Sequence, residues 1–355
     1  MTTVSTNPTP ATTPVQPVPT PQPAMRLREI VFGAACAAAV RAAARLGVAD
    51  ALGETPATAA ELAAVVKTEP VPLQRLLRAL SCYGVFTETP DGAFAHTDMS
   101  RLLREDDPNS LRYISLWCTE PWTWDVWPRL DDAVRSGRNV FEDVHGKEFF
   151  DYLHQDAHES AQVFNRAMTT SSKQSALDVA ALLDLTGVSV VADIGGGQGH
   201  VLASLLEKHP SVSGTLMDLP GVVARADDRL RDGGSLAGRA SIVAGDCREG
   251  IPVSADLYII KNILEWDDDS TRRALRSVVA AARPGARVVV IENLVDDTPS
   301  MRFTTAMDLL LLLNVGGAKH TRQSLVDRLS DAGLRIGEIR PVNPYLHAFE
   351  CVVPD

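Results

Sequence analysis

The chain has 355 residues, 45% of them hydrophobic and 22% charged, and carries a net charge of −11. Length and composition suit a globular protein of two domains. The acidic balance excludes a general nucleic-acid binder, whose phosphate contacts need a basic surface, and offers no attraction to an anionic membrane.

Residues 1–24 hold seven prolines, many threonines and no charged side chain. Such a stretch cannot bury enough apolar surface to offset its ordering entropy, so a disordered tail is expected. It lacks the basic-then-apolar order of a signal peptide, and no apolar run in the chain reaches membrane-spanning length. The five cysteines, Cys36, Cys82, Cys118, Cys247 and Cys351, are scattered and include no CxxC pair. That pattern predicts reduced thiols in the cytoplasm, with no disulfide framework and no metal centre.

From Met25 the texture turns to Ala, Leu and Val with arginines at helical spacing, and one helix is predicted over Ile30–Leu46. A turn at Gly47 leads to a helix capped by Thr58 and Glu61, then to a helix over Val71–Cys82. Val85–Glu88, a Pro90-Asp91-Gly92 turn and Ala93–His96 read as a hairpin. Helices followed by a hairpin make an all-helical winged-helix domain over 25–110. Arg75 and Arg78 are the only arginines on its candidate recognition helix. In so acidic a chain this predicts subunit pairing, as a homodimer, and not DNA binding.

Residues 111–180 read as a helical linker and acceptor-pocket region. Four of the five tryptophans, Trp117, Trp122, Trp124 and Trp127, fall within eleven residues. Core packing accounts for most such aromatics, but a cluster this dense, with Trp117 in it, also suits the wall of a flat apolar pocket.

From Val188 strands and helices alternate. Strands are predicted at Val188–Ile194, Gly214–Asp218, Ala240–Ala244, Ala255–Ile260, Ala286–Ile291, Glu338–Pro341 and His347–Val353, with helices at His200–His209 and Ser270–Ala282. This is the pattern of an α/β, Rossmann-like fold over 181–355, a doubly wound and mostly parallel sheet.

The first strand runs into Asp193-Ile194-Gly195-Gly196-Gly197-Gln198-Gly199-His200. Its glycines allow positive φ and close approach of backbone to a ligand. A nicotinamide site would place another glycine where His200 stands. An acid just before the glycines, Asp193, is instead what a methyl-donor site uses. Met217-Asp218-Leu219 ends the second strand, where a carboxylate can accept both ribose hydroxyls. Gly245-Asp246-Cys247 follows the third, where an acid can accept from an adenine amino group. Acids at three successive strand ends predict bound S-adenosylmethionine, held by Asp193, Gly195, Gly197, Asp218, Leu219, Asp246 and Cys247.

These motifs resemble the plant caffeic acid and flavonoid O-methyltransferase family and its bacterial relatives of aromatic polyketide pathways, such as the anthracyclines and tetracenomycins. The resemblance covers about residues 25–353. It rests on Leu46-Gly47-Val48-Ala49-Asp50, Phe164-Asn165-Arg166-Ala167-Met168, the glycine motif, Asp218-Leu219-Pro220, Gly245-Asp246, Lys261–Asp268 and Gly316-Gly317. It implies a dimer whose partner helps to close the acceptor pocket. It also implies Lys261 beside the donor, Phe164 and Met168 lining the acceptor pocket, and Met307, Leu311 and Asn314 opposite them. The acceptor would be a phenolic hydroxyl on an aromatic polyketide.

One departure stands out. The family reads Lys-x-x-Leu-His-Asp-Trp after its fourth strand, with the His as general base. This chain reads Lys261-Asn262-Ile263-Leu264-Glu265-Trp266, one residue shorter and without His. Of the two acids that orient that His, Glu292 matches the first, while Lys319, followed by His320, stands at the second. Three readings stay open: Glu265 as base with Glu292 beside it, His320 as base, or no strong base at all. The last allows an intrinsically acidic phenol or methylation at carbon. A donor-binding relative performing hydroxylation or decarboxylation, and a non-catalytic dimeric regulator, are the alternatives outside methyl transfer.

Overall fold

The computed structural model describes residues 22–354. Most of the segment expected to be a disordered tail lies outside the described residues; Pro23 and Ala24, counted with it, already belong to a helix. The single helix predicted over Ile30–Leu46 is two, Pro23–Val31 and Gly33–Leu46, with the break at Phe32. Proline in the first turn starts the first of them, since its missing N–H is unneeded there. Gly33, about 1 kcal/mol worse than Ala inside a helix, weakens the chain at this point and opens the second helix.

The helix Ala59–Val66 opens on the predicted capping box: the Thr58 N–H donates to Glu61 at 2.7 Å, and the Glu61 N–H to the Thr58 hydroxyl at 3.3 Å. Pro70–Cys82 buries Leu73, Leu77 and Leu80, one stripe of an amphipathic helix. Strands β1 (Phe86–Glu88) and β2 (Phe94–His96) pair antiparallel as the wing. Arg78 is bound to Glu88 of β1 at 2.7 Å, so one of the two arginines on this helix holds the wing.

A buried ion pair pins the N-terminal unit to the helices that succeed it in the chain. Arg41 meets Glu120 at 2.8 Å, with side chains only 14% and 8% exposed. Arg41 also donates to the Leu116 carbonyl at 2.9 Å, and Ser160 donates to Glu120. Burying such a pair is costly, but deleting one partner strands the other charge, so the joint resists separation.

The C-terminal sheet has seven strands: β3 (Val190–Ile194), β4 (Ser213–Asp218), β5 (Ala240–Ala244), β6 (Leu257–Lys261), β7 (Arg287–Glu292), β8 (Arg335–Pro341) and β9 (His347–Val352). Their spatial order is β5-β4-β3-β6-β7-β9-β8, with β3 to β7 parallel and β9 antiparallel to both its neighbours. Helices cover both faces, and Val190–Ala192 of β3 and Val288–Ile291 of β7 are apolar runs because both faces of those strands are covered. Connections leave β3 toward β4 and β5, then return to β6 on its other side. That reversal opens a crevice beyond the C-terminal ends of β3, β4 and β6. Among the described residues no helix is long and apolar enough to cross a membrane.

Candidate active site

The crevice begins where β3 ends. Gly195 and Gly197 both have φ of 63°, a conformation costly for any residue with a Cβ. A Cβ on Gly195 would stand 2.6 Å from the Ile263 side chain, whereas one on Gly197 would meet nothing within 4 Å. The turn is therefore packed on one side and open on the other. Asp218, at the end of β4, accepts from the Gly197 N–H at 2.8 Å and the Leu219 N–H at 2.7 Å. This carboxylate thus fixes the glycine turn as well as lining the crevice.

Asp193 is 1% exposed, and one of its carboxylate oxygens has no partner. Burial pushes its carboxyl up to about 7, against the pull of the nearby Lys261. Lys261, at the end of β6, is itself lowered by burial and raised by Asp193, Glu292 and Glu265. Asp246 lies beyond β5 and is engaged by Arg248 at 2.7 Å, which holds its carboxyl below the usual range. The Arg248 guanidinium in turn sits 5.5 Å from the centre of the Trp266 ring. Cys247 is buried, its thiol pushed up to about 12 by burial and by the charge of Asp246. Leu219 is exposed at the rim. An orphaned buried carboxylate oxygen, an open glycine turn and acids at the ends of neighbouring strands fit a ligand with an amine, a ribose and an adenine.

Deeper in, β6 and β7 bring the charged residues together. Glu292 is fully buried; one oxygen accepts from the Leu264 N–H at 3.1 Å and the other has no partner. Burial, and next the charge of Glu265, push its carboxyl well above the usual range. Glu265 is bound to the Lys319 ammonium, the two side chains being 13% and 8% exposed. The Lys319 backbone N–H donates to Asp308 at 2.6 Å, which ties this loop to the helix Met301–Val315. Gly317 lies so close to the Glu265 carbonyl oxygen that a Cβ there would overlap it. His320 is 4% exposed and donates through Nε2 to the Leu264 carbonyl at 2.7 Å. Burial lowers its imidazole, and its ring holds the loop on which Glu265 stands.

The residues expected to line an acceptor pocket lie in and beside an aromatic cluster. Trp117 is edge-on to Phe164 at 5.6 Å. Met168 and Met307 pack in the same cluster, against Leu310 and Leu313 of the helix Met301–Val315. Leu311 and Asn314 lie on that helix, Asn314 buried with its amide oxygen unpartnered. Trp122 is core: it is 2% exposed and enclosed by Phe141 and Phe149.

Sequence reasoning missed two residues of this site. Lys319 registered there only as a lost acid, although Glu265 and Lys319 depart from the family pattern together and with opposite charge. Arg248, two residues after Asp246, had spacing alone as its signal.

Comparison with known proteins gives a consistent picture. The family model of an O-methyltransferase dimerisation domain matches residues 28–106, and that of an O-methyltransferase domain matches 127–335. The chain is 38% identical over 317 residues to the mitomycin biosynthesis 6-O-methyltransferase of Streptomyces lavendulae, covering 89% of this chain and 90% of that protein. The structure of CalO1, a methyltransferase in calicheamicin biosynthesis solved in its SAH-bound form, superposes with a TM-score of 0.82 at 34% identity, covering 94% of this chain and 98% of that one. The chain is also 32% identical to the aclacinomycin 10-hydroxylase RdmB of Streptomyces purpurascens, covering 85% of this chain and 82% of that protein.

Replacing Asp218 removes the acceptor that fixes the glycine turn and the carboxylate expected to hold the donor ribose. Asp218→Ala should weaken S-adenosylmethionine binding, measured by calorimetry, by about 1–3 kcal/mol, the scale of a hydrogen bond to a charged group. Unchanged affinity would remove Asp218 from the donor site.

Proposed function

This chain belongs to the family of S-adenosylmethionine-dependent O-methyltransferases, and on that premise we propose that it methylates a phenolic hydroxyl on a flat, multi-ring aromatic natural product. The observation that carries the acceptor class is the aromatic cluster of Trp117 and Phe164 with Met168, packed with the helix that bears Met307, Leu311 and Asn314. Such a surface suits a planar apolar ligand with a few polar groups.

In this reading Asp193, Gly195, Gly197, Asp218, Leu219, Asp246, Cys247 and Lys261 hold the donor. When bound, the donor supplies an electrophilic methyl, whose C–S electron pair returns to sulfur as the new O–C bond forms. The chain's own share is alignment and exclusion of water. Buried Glu292 accepts from the Leu264 N–H on the loop that carries Glu265, and His320 fixes that loop through the Leu264 carbonyl.

The working unit proposed is a cytoplasmic homodimer. Leu27, Ile30, Val31 and Phe32 are each 62–70% exposed in the single chain. So much contiguous apolar surface on the first helix calls for a covering partner, and a second copy is the partner that a dimerisation domain supplies. All five cysteines are unpaired, which suits a reducing compartment. Sedimentation equilibrium at micromolar concentration should return the mass of two chains; a monomer would contradict this.

The activity is tested by incubating the protein with methyl-labelled S-adenosylmethionine and a panel of hydroxylated aromatics from catechol to anthraquinones. Label should appear as O–CH3 on the polycyclic members, with catechol a poor acceptor. Label on ring carbon, or catechol working as well as the anthraquinones, would contradict the proposal.

A further inference from the structure

The ion pair of Glu265 and Lys319 sits where the donor and acceptor sides of the crevice meet. Glu265 stands four residues beyond Lys261, whose charge is felt by Asp193 on the donor side. Lys319 is latched through its backbone to Asp308, the residue after Met307 on the acceptor helix. The titratable groups that interact with the Lys319 side chain are Glu265, Glu292 and His320; Asp308 holds its backbone, and the Lys261 charge acts on Glu265 and Glu292.

None of these makes a strong base for a phenol. A carboxylate is a weak one, because reference phenol acidity lies about six units above that of a glutamic acid. Glu292 is fully buried, with burial pushing its carboxyl up, and accepts from the Leu264 N–H, and the His320 Nε2 already donates to the Leu264 carbonyl. A cation poorly exposed to water can do the complementary job. It favours the ionised form of a neighbouring acid, so the acceptor gives its proton to water and binds as an oxyanion.

We propose that Lys319, held in place by Glu265 and Asp308, receives the acceptor oxygen as a phenolate and so replaces a side-chain base. This rests on the acceptor class proposed above. Lys319 gives up part of its contact with Glu265 to the acceptor oxygen, and Glu265 keeps the cation from overbinding it. The acceptors favoured are those whose hydroxyl ionises most readily, such as hydroxyquinones.

The test uses alizarin, a dihydroxyanthraquinone whose absorbance moves to longer wavelength on ionisation, added to the full-length protein saturated with S-adenosylhomocysteine. No methyl transfer takes place, so the readout is the ionisation of the bound dye. Bound alizarin should ionise at least about one pH unit below the free dye, a tenfold change in its ionised ratio at fixed pH. Lys319→Met should abolish that displacement and Lys319→Arg should keep most of it. Glu265→Gln should enlarge it, by leaving the Lys319 charge uncompensated, whereas loss of a true base would not.

Equal titration of the dye in wild type and Lys319→Met overturns the proposal, and so does a displacement abolished by Glu265→Gln. If Lys319→Met fails to bind S-adenosylhomocysteine, and is thus misfolded, the Arg and Gln variants decide between the same alternatives. If alizarin does not bind the wild-type protein at all, the acceptor class fails first and takes this proposal with it. That result is distinct from a dye that binds but ionises without regard to Lys319.

Discussion

Glu265 and Lys319 meet across the seam between the loop after β6 and the loop after the helix Met301–Val315. Much of the site's geometry serves to hold that pair where little water reaches. The two loops approach so closely that only glycine fits at 317. The Asp308 carboxylate fixes the Lys319 backbone, and His320 fixes the Leu264 carbonyl beside Glu265. A buried ion pair by itself is weak support for stability, because desolvation offsets the attraction. Its retention here is better explained by what the charge does for a ligand, which is the role proposed for Lys319.

The same cluster couples the two sides of the crevice. Lys261 and Asp193 lie at the ends of neighbouring parallel strands, Glu292 ends the next, and Glu265 lies in the loop four residues after Lys261. Lys261, lowered by burial, is raised by the charges of Asp193, Glu292 and Glu265, and Glu292, raised by burial, is raised further by that of Glu265, so Lys261 links the donor-side acid to the pair beyond it. The parallel register of β3, β6 and β7 sets these spacings. The fold therefore contributes to the electrostatics directly and is more than a scaffold for loops.

The fold was legible in the sequence where local pattern and tertiary environment agree. Strands buried on both faces show as apolar runs, such as Val190–Ala192 and Val288–Ile291, and most turns needing positive φ show as glycines. The Thr58–Glu61 cap was legible because its chemistry is local. The Phe32 break was not, since a single glycine in an alanine-rich helix is usually tolerated. Nor could composition say which tryptophans face a pocket: Trp122 is enclosed by Phe141 and Phe149, residues brought to it by later helices. The Glu265–Lys319 pair was hidden for a similar reason. Its members are 54 residues apart, and each taken alone looks like the loss of a familiar group.

An acceptor that reacts as its own phenolate leaves a signature in the pH dependence of kcat/KM at saturating donor. Across a series of hydroxylated anthraquinones differing in phenol acidity, the rising inflection should move with the acidity of each acceptor. An inflection fixed at one pH for every acceptor, and lost in Glu265→Gln, would show that a side-chain base does the work and would contradict this account.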